Sequence, residues 1–331
     1  MRTIALGVAI WVLAGAPVMA DDSSAALGAG GLVLTRSDDI RMTAEELRIS
    51  PRAVSAHFVF VNQGKGDIET IVAFPLPDID TSRFTEEPLG TTTGTALNFV
   101  GFEIREDGRT VAYRTEQRAF YQGRDVTDRV LTAGLPLNIL DPTFQKKIDG
   151  LSRDGRKALE KAGLTDSESG ETEHPHWTVR TRFYWNQRFP AGRQVVLDER
   201  YRPVTGQALF GASELKDNDE DGRYWRKIYC LDAPTRMSAS RMIAQKHTAD
   251  AQNGAYLTAL STDYVLTTGN NWKGPIGHFH LVLDKLQPDS LLSTCWNEPL
   301  VRTGPTTFES TLENFAPGSD IRLLVLQRNA P

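Results

Sequence analysis

Residues 177–189 alternate in a way that only an extended strand can use. Trp177, Val179, Phe183, Trp185 and Phe189 fall on one side; Thr178, Arg180, Arg182, Tyr184, Asn186 and Arg188 fall on the other. A period of two puts successive side chains on opposite faces of a sheet, whereas a helix would scatter these aromatics around its axis. So large an apolar face needs a second layer over it. The constraint therefore points to sheet packed on sheet.

Other segments repeat the theme. Residues 54–62 carry Val54, Ala56, Phe58 and Phe60 on one face, with Val59 and Val61 on the other, the pattern of an interior strand. Residues 62–66 read as a turn, and 68–76 return until Pro75 and Pro77, which lack the N–H a ladder needs. Leu32-Val33-Leu34 opens the first strand, and Glu106-Asp107-Gly108 between 97–105 and 110–115 reads as a hairpin turn. Further strands are expected at 224–231, 256–268, 278–284, 291–296, 306–310 and 321–327, with a helix at 234–245.

The pattern changes near Asp125. Val126, Val130 and Leu131 have helical spacing, and Asp141-Pro142 is a helix start followed by Phe144, Ile148 and Leu151. A second short helix spans 153–162 and stops at Gly163, before a charged linker at 165–173. The expected class is mainly β: antiparallel β-sandwiches with a small helical insert between two β-rich halves. The boundaries fall at 21–120, 121–173 and 174–331. One continuous large sandwich decorated by helices is the alternative.

The first twenty residues have the parts of a secretory signal: Arg2, an uncharged apolar run from Ile4 to Ala14, and Val18-Met19-Ala20 before Asp21. The run is short for a hydrocarbon core of ~30 Å, so cleavage is expected and no transmembrane segment in the mature chain. The expected location is periplasmic or secreted. Losing Arg2 takes the formal net charge from −5 to −6, with no global bias toward nucleic acid. Cys230 and Cys295 are the two cysteines. In an oxidising compartment an isolated pair forms a disulfide, and this loop would disfavour the unfolded chain by roughly 4 kcal/mol; two buried thiols are the alternative.

The polar face of 177–189 gives the first candidate site. If residues 190–192 close a hairpin, Arg180 stands opposite Arg202 and Arg182 opposite Arg200, and like charges directly opposed are destabilising. An internal acidic loop, 168–173 or 217–221, could neutralise them. The other possibility is an anionic ligand or envelope protein partner: a sugar acid, a phosphate, a lipid headgroup or an acidic protein. Residues 217–222 match the opening of a calcium loop, but Ile228 stands where the closing Glu belongs, so an acidic turn is expected. His174/His176 and His278/His280 have i, i+2 spacing on strand-like segments, without a locatable third metal ligand. Nucleophile elbow, phosphate loop and dinucleotide fingerprint are absent, and no cofactor is expected.

Several segments together resemble one exported bacterial family, catalogued as domain of unknown function 4424. They are Gly30-Gly31-Leu32-Val33-Leu34-Thr35, Ala73-Phe74-Pro75-Leu76-Pro77-Asp78, Tyr184-Trp185-Asn186-Gln187-Arg188-Phe189-Pro190-Ala191-Gly192, Tyr201-Arg202-Pro203 and Asn270-Asn271-Trp272-Lys273-Gly274-Pro275-Ile276-Gly277. The resemblance implies an envelope or secreted location and carries over no catalytic residue. Trp272 then reads as either a packed plug or a platform for stacking a ligand. The expected function is non-catalytic binding of a ligand or partner; a hydrolase of envelope polymers, with carboxylates on loops, is the alternative.

Overall fold

The computed structural model describes residues 23–28, 31–83, 95–166, 174–247 and 256–328; the leader expected at 1–20 lies outside them. Strand β13 (Thr178–Phe189) has the expected alternation, with Val179, Phe183, Trp185 and Phe189 buried. It lies within a seven-stranded sheet. The order is β10 (Arg124–Asp125), β9 (Arg114–Tyr121), β13, β5 (Ile68–Pro75), β1 (Ser23–Gly28) and β2 (Gly31–Thr35), with β6 (Ile79–Asp80) also paired to β13.

An eight-stranded sheet covers the aromatic face. Its order is β19 (Val301–Arg302), β20 (Thr307–Phe315), β17 (Ile276–Asp284), β3 (Ile40–Ser50), β4 (Ala53–Asn62), β14 (Gln194–Tyr201), β7 (Glu103–Glu106) and β8 (Arg109–Thr110). Its pairs are antiparallel except β17 with β3, which run parallel. The two inner faces interlock through rings. Phe60 lies 5.7 Å from Phe189, and Phe74 5.6 Å from Tyr201; Phe102 stacks on Phe183 at 4.4 Å. Burial of this surface is the main force holding the layers together.

Strands from early and late in the chain are interleaved. β3 and β4 sit between β17 and β14, and β5 lies beside β13, so no sheet boundary falls at residue 120 or 174. The helical insert is where the spacing placed it: α1 (Thr127–Thr132), α2 (Phe144–Asp149) and α3 (Arg153–Lys161). Its Val130, Phe144, Ile148 and Leu159 enter the main core. Asp141 accepts from the Thr143 backbone N–H at 2.7 Å, just ahead of α2. The insert ends at β11 (Thr165–Asp166), which pairs with β12 (His174–Pro175).

A third sheet has the order β15 (Gly206–Phe210), β16 (Leu257–Tyr264), β21 (Ile321–Arg328) and β18 (Leu291–Thr294). Leu260, Tyr264, Leu323 and Val325 face the main core, while Leu257, Ala259, Leu324 and Leu326 are covered by α4 (Glu220–Ile228) and α5 (Ala233–His247). The strand expected at 224–231 is thus mostly helix α4. Asp219 caps it, accepting from Gly222 N–H at 2.9 Å, and Glu220 and Asp221 precede Arg226 and Lys227 along its dipole. These terminal signals and the burial of Trp225 outweigh the β preference of its aromatics. The residues that resembled a calcium loop therefore begin a helix, and Asp217 pairs with Arg236 at 2.7 Å. Gly222 is needed for its size: a Cβ there would lie 2.5 Å from the Glu214 carbonyl oxygen. The Cys230–Cys295 disulfide ties the end of α4 to the segment after β18.

The turns at 62–66 and 190–192 are not hairpins. β4 pairs with β3 and β14 while β5 pairs with β13, so each turn carries the chain from one large sheet to the other. Asn62 joins the two corners. It is fully buried, and its Nδ2 donates to the carbonyls of Gly66 at 2.9 Å and Phe189 at 2.8 Å. Its Oδ1 accepts from Gly64 N–H at 2.8 Å, and its own carbonyl accepts from Gly192 N–H at 2.9 Å. Removing the amide strands buried backbone groups, each costing about 1–3 kcal/mol. Asn62→Ala should lower unfolding free energy in urea by roughly 2–4 kcal/mol, while Arg200→Ala at an exposed ion pair should stay within about 0.5 kcal/mol. Equal effects would contradict this account of the corner.

Candidate ligand-binding cleft

The arginine face does not assemble. Arg180 and Arg182 lie on β13, whereas Arg200 lies on β14 and Arg202 just beyond it, because the turn between them changes sheets. Arg180 sits 3.3 Å from Asp78, with its guanidinium 4.3 Å over the Phe120 ring. Arg182 stands opposite Glu116 in the ladder and approaches it at 3.3 Å. Arg200 pairs with Glu103 at 2.6 Å, and the Arg202 backbone N–H donates to the Val100 carbonyl at 2.9 Å. The hairpin register that would group four guanidiniums is thereby corrected, and three of these arginines have a local carboxylate of their own.

Trp272 is fully buried between Phe60, at 4.7 Å, and Phe189, at 6.0 Å. It plugs the core and offers no face to a ligand. Three of the four candidate histidines have a local carboxylate partner: His176 with Asp166 at 3.0 Å, His278 with Glu313 at 2.6 Å and His280 with Glu309 at 3.2 Å. Among the described residues no group of three or more His, Cys, Asp or Glu could hold a metal ion.

What the structure brings together instead is a cleft of about 150 Å³ where the three sheets meet. Its wall comes from five places in the sequence. Pro75 and Pro77 end β5, and the chain then bends through Asp78 into β6, where Asp80 accepts from Ser82 Oγ at 2.7 Å. The loop at Phe99 and Val100 and the run from Tyr201 through Pro203 to Gly206 form one side. Helix α4 contributes Tyr224, its C-cap contributes Tyr229, and β16 contributes Ser261 and Asp263. Two of the segments that carry the family resemblance, 73–78 and 201–203, therefore converge here. Beyond Asp78 and Tyr201, the aromatic and acidic residues of the wall carry no signal in the sequence, because they are single residues far apart in the chain with no shared spacing.

Burial sets the electrostatics of the wall. Removal from water pushes the Asp78 carboxyl above its ordinary value, an effect opposed by the Arg180 guanidinium. Tyr201 is only 6% exposed, and its hydroxyl has no hydrogen-bond partner. Burial and the nearby Glu199 carboxylate raise its pKa, so the phenol stays protonated. Apolar walls with a few convergent polar groups are the usual make-up of a small-molecule site.

A wider groove of about 550 Å³ lies on the outer face of the eight-stranded sheet. There Arg105, Asp198, His57, Glu46 and His280 stand side by side across β7, β14, β4, β3 and β17. Acidic side chains alternate with basic or imidazole ones along the row, and His57 Nδ1 lies 2.7 Å from Asp198 Oδ1. Such a ladder supplies its own polar partners across the strands. It is an open surface, so the smaller cleft is the better candidate.

The molecule is thus defined as a mainly β protein with two large packed sheets, a third sheet with helices on its outer face and a cleft at their junction. A family model described as "Domain of unknown function (DUF4424)" matches residues 20–324, and the chain belongs to that family. Among solved structures, the chain is similar to a Legionella pneumophila protein named "putative nutrient binding protein". Identity is 14%, coverage is 93% of this chain and 70% of that one, and the TM-score is 0.47. It is also similar to an M1 zinc metallopeptidase from Deinococcus radiodurans, at 8% identity, over 90% of this chain and 45% of that one, with a TM-score of 0.26. At these scores neither likeness assigns a function. No curated protein matches the chain.

Asp78 offers a direct check on the cleft. Its carboxyl should titrate above 3.8 by carbon-detected NMR, and Arg180→Gln should move the midpoint higher still. The unfolded chain then loses this proton first, so the Asp78 contribution to stability is complete below pH 3.8 and is lost as pH rises through the folded midpoint. A midpoint below 3.8 would refute the burial described here.

Proposed function

We propose that this is an exported protein of the cell envelope that binds a small ligand in the junction cleft without transforming it. The cleft carries the reading: it is partly enclosed, lined by apolar and aromatic side chains, and bordered by Tyr201, whose buried hydroxyl has no partner. Export is supported by the signal-like first twenty residues and by the Cys230–Cys295 disulfide, a bond that persists in oxidising compartments. No helix among the described residues is long and apolar enough to cross a membrane.

Expressed in a Gram-negative host, the full chain should be recovered from the periplasmic fraction with Asp21 at its N-terminus and no titratable thiol. Retention in the cytoplasm with the leader intact would refute export. A thermal-shift screen should find small molecules that raise Tm for the native protein but not for Val204→Trp, which fills the cleft. Hydrolysis of envelope polymers that is abolished by Asp78→Asn would replace binding with catalysis.

A further inference from the structure

We propose that the cleft selects a small organic cation, an amine or guanidine compound about the size of a single ring. The inference rests on the reading of this cleft as the ligand site. Size comes from the volume of about 150 Å³, roughly the space that holds a benzene ring in a protein interior. Charge comes from the wall. Asp78, Asp80 and Asp263 all line it, and among the described lining residues there is no lysine, arginine or histidine.

The cations that balance this charge leave a negative remainder. Arg180 accounts for Asp78 at 3.3 Å, and Arg322 stands opposite Asp263 in the β16–β21 ladder. Neither arginine is part of the wall, and Asp80 has a hydroxyl and a backbone N–H as its partners rather than a cation. Three tyrosines complete the surroundings. Tyr224 and Tyr229 stand edge to face at 6.3 Å, and Tyr201 lies 5.6 Å from Phe74. A ring presents negative charge at its face, so tyrosines beside carboxylates favour a cation twice over and repel an anion.

The unpartnered Tyr201 hydroxyl is the second, independent pointer. Tyr201 lines the cleft and its hydroxyl is buried, and as a protonated phenol the oxygen would accept an N–H from a ligand that reaches it. An ammonium or guanidinium supplies that donor and satisfies the carboxylates with its remaining protons. Neutral ligands could meet the hydroxyl but would leave the Asp80 carboxylate without a cation.

Calorimetry with benzylamine, benzyl alcohol and benzoate separates the possibilities, since the three are matched in size and differ in charge. The purified protein, disulfide intact, should bind benzylamine at least tenfold more tightly than the other two. Tyr201→Phe and Asp263→Asn should each weaken benzylamine by about tenfold, the scale of one charge-assisted hydrogen bond. Val204→Trp should abolish binding; should that variant fail to fold, Asp263→Asn still reads the site. Equal affinity for the amine and the alcohol, or preference for benzoate, overturns the cation inference and leaves the cleft as a ligand site. Benzylamine binding unchanged in all three variants, or no binding of any probe, overturns the inference and the site together.

Discussion

The two large sheets are held in register by a single buried amide at their shared corner. Asn62 reaches both crossings of the chain between layers, giving hydrogen bonds to the backbone just before β5 and at the end of β13. Each crossing exposes backbone groups that no ladder can satisfy, and burial makes an unsatisfied group costly. Asp67 reinforces the joint from the surface, accepting from Ala191 N–H at 2.9 Å and Arg188 at 2.6 Å. With the corner fixed, the aromatic faces meet in one arrangement, and Trp272 closes the end of the core against Phe60 and Phe189.

The cleft follows from the same geometry. Because β14 belongs to one large sheet and β5 to the other, Tyr201 and Leu76 arrive at the junction from opposite layers. Prolines at 77 and 203 end the pairing there and leave a gap that the third sheet and α4 partly roof. Most of the polar groups in the wall are thus products of tertiary packing.

Much of the architecture was legible because it depends on side-chain alternation alone. β13, β4 and β21 follow their patterns, and the helices of the insert follow theirs. β3 escaped because a bulge between Met42 and Ala44 shifts its phase: Ile40 and Met42 are buried before it, Leu47 and Ile49 after it. Helix α4 was misread since its aromatics favour strands, while its acidic start and basic end, the informative signal, resembled a metal loop. The arginine face failed on one assumption, that a tight turn joins neighbouring strands of one sheet. Local spacing cannot distinguish a hairpin from a corner. The cleft residues were legible only as pieces of family-like segments, since their meeting depends on which sheet each strand joins.

The parallel pairing of β17 with β3 sets a condition on how the chain can be made. β3 begins at Ile40, yet the neighbour that completes its edge ends at Asp284, so the central sheet cannot close until most of the polypeptide is present. Contacts so distant along the chain slow folding, because loop entropy is lost before the pairing rewards it. Until β17 has been made, the outer edge of β3 stays unpaired. An N-terminal fragment ending before β17 therefore lacks both the partner for that edge and the strands beyond it, β19 and β20.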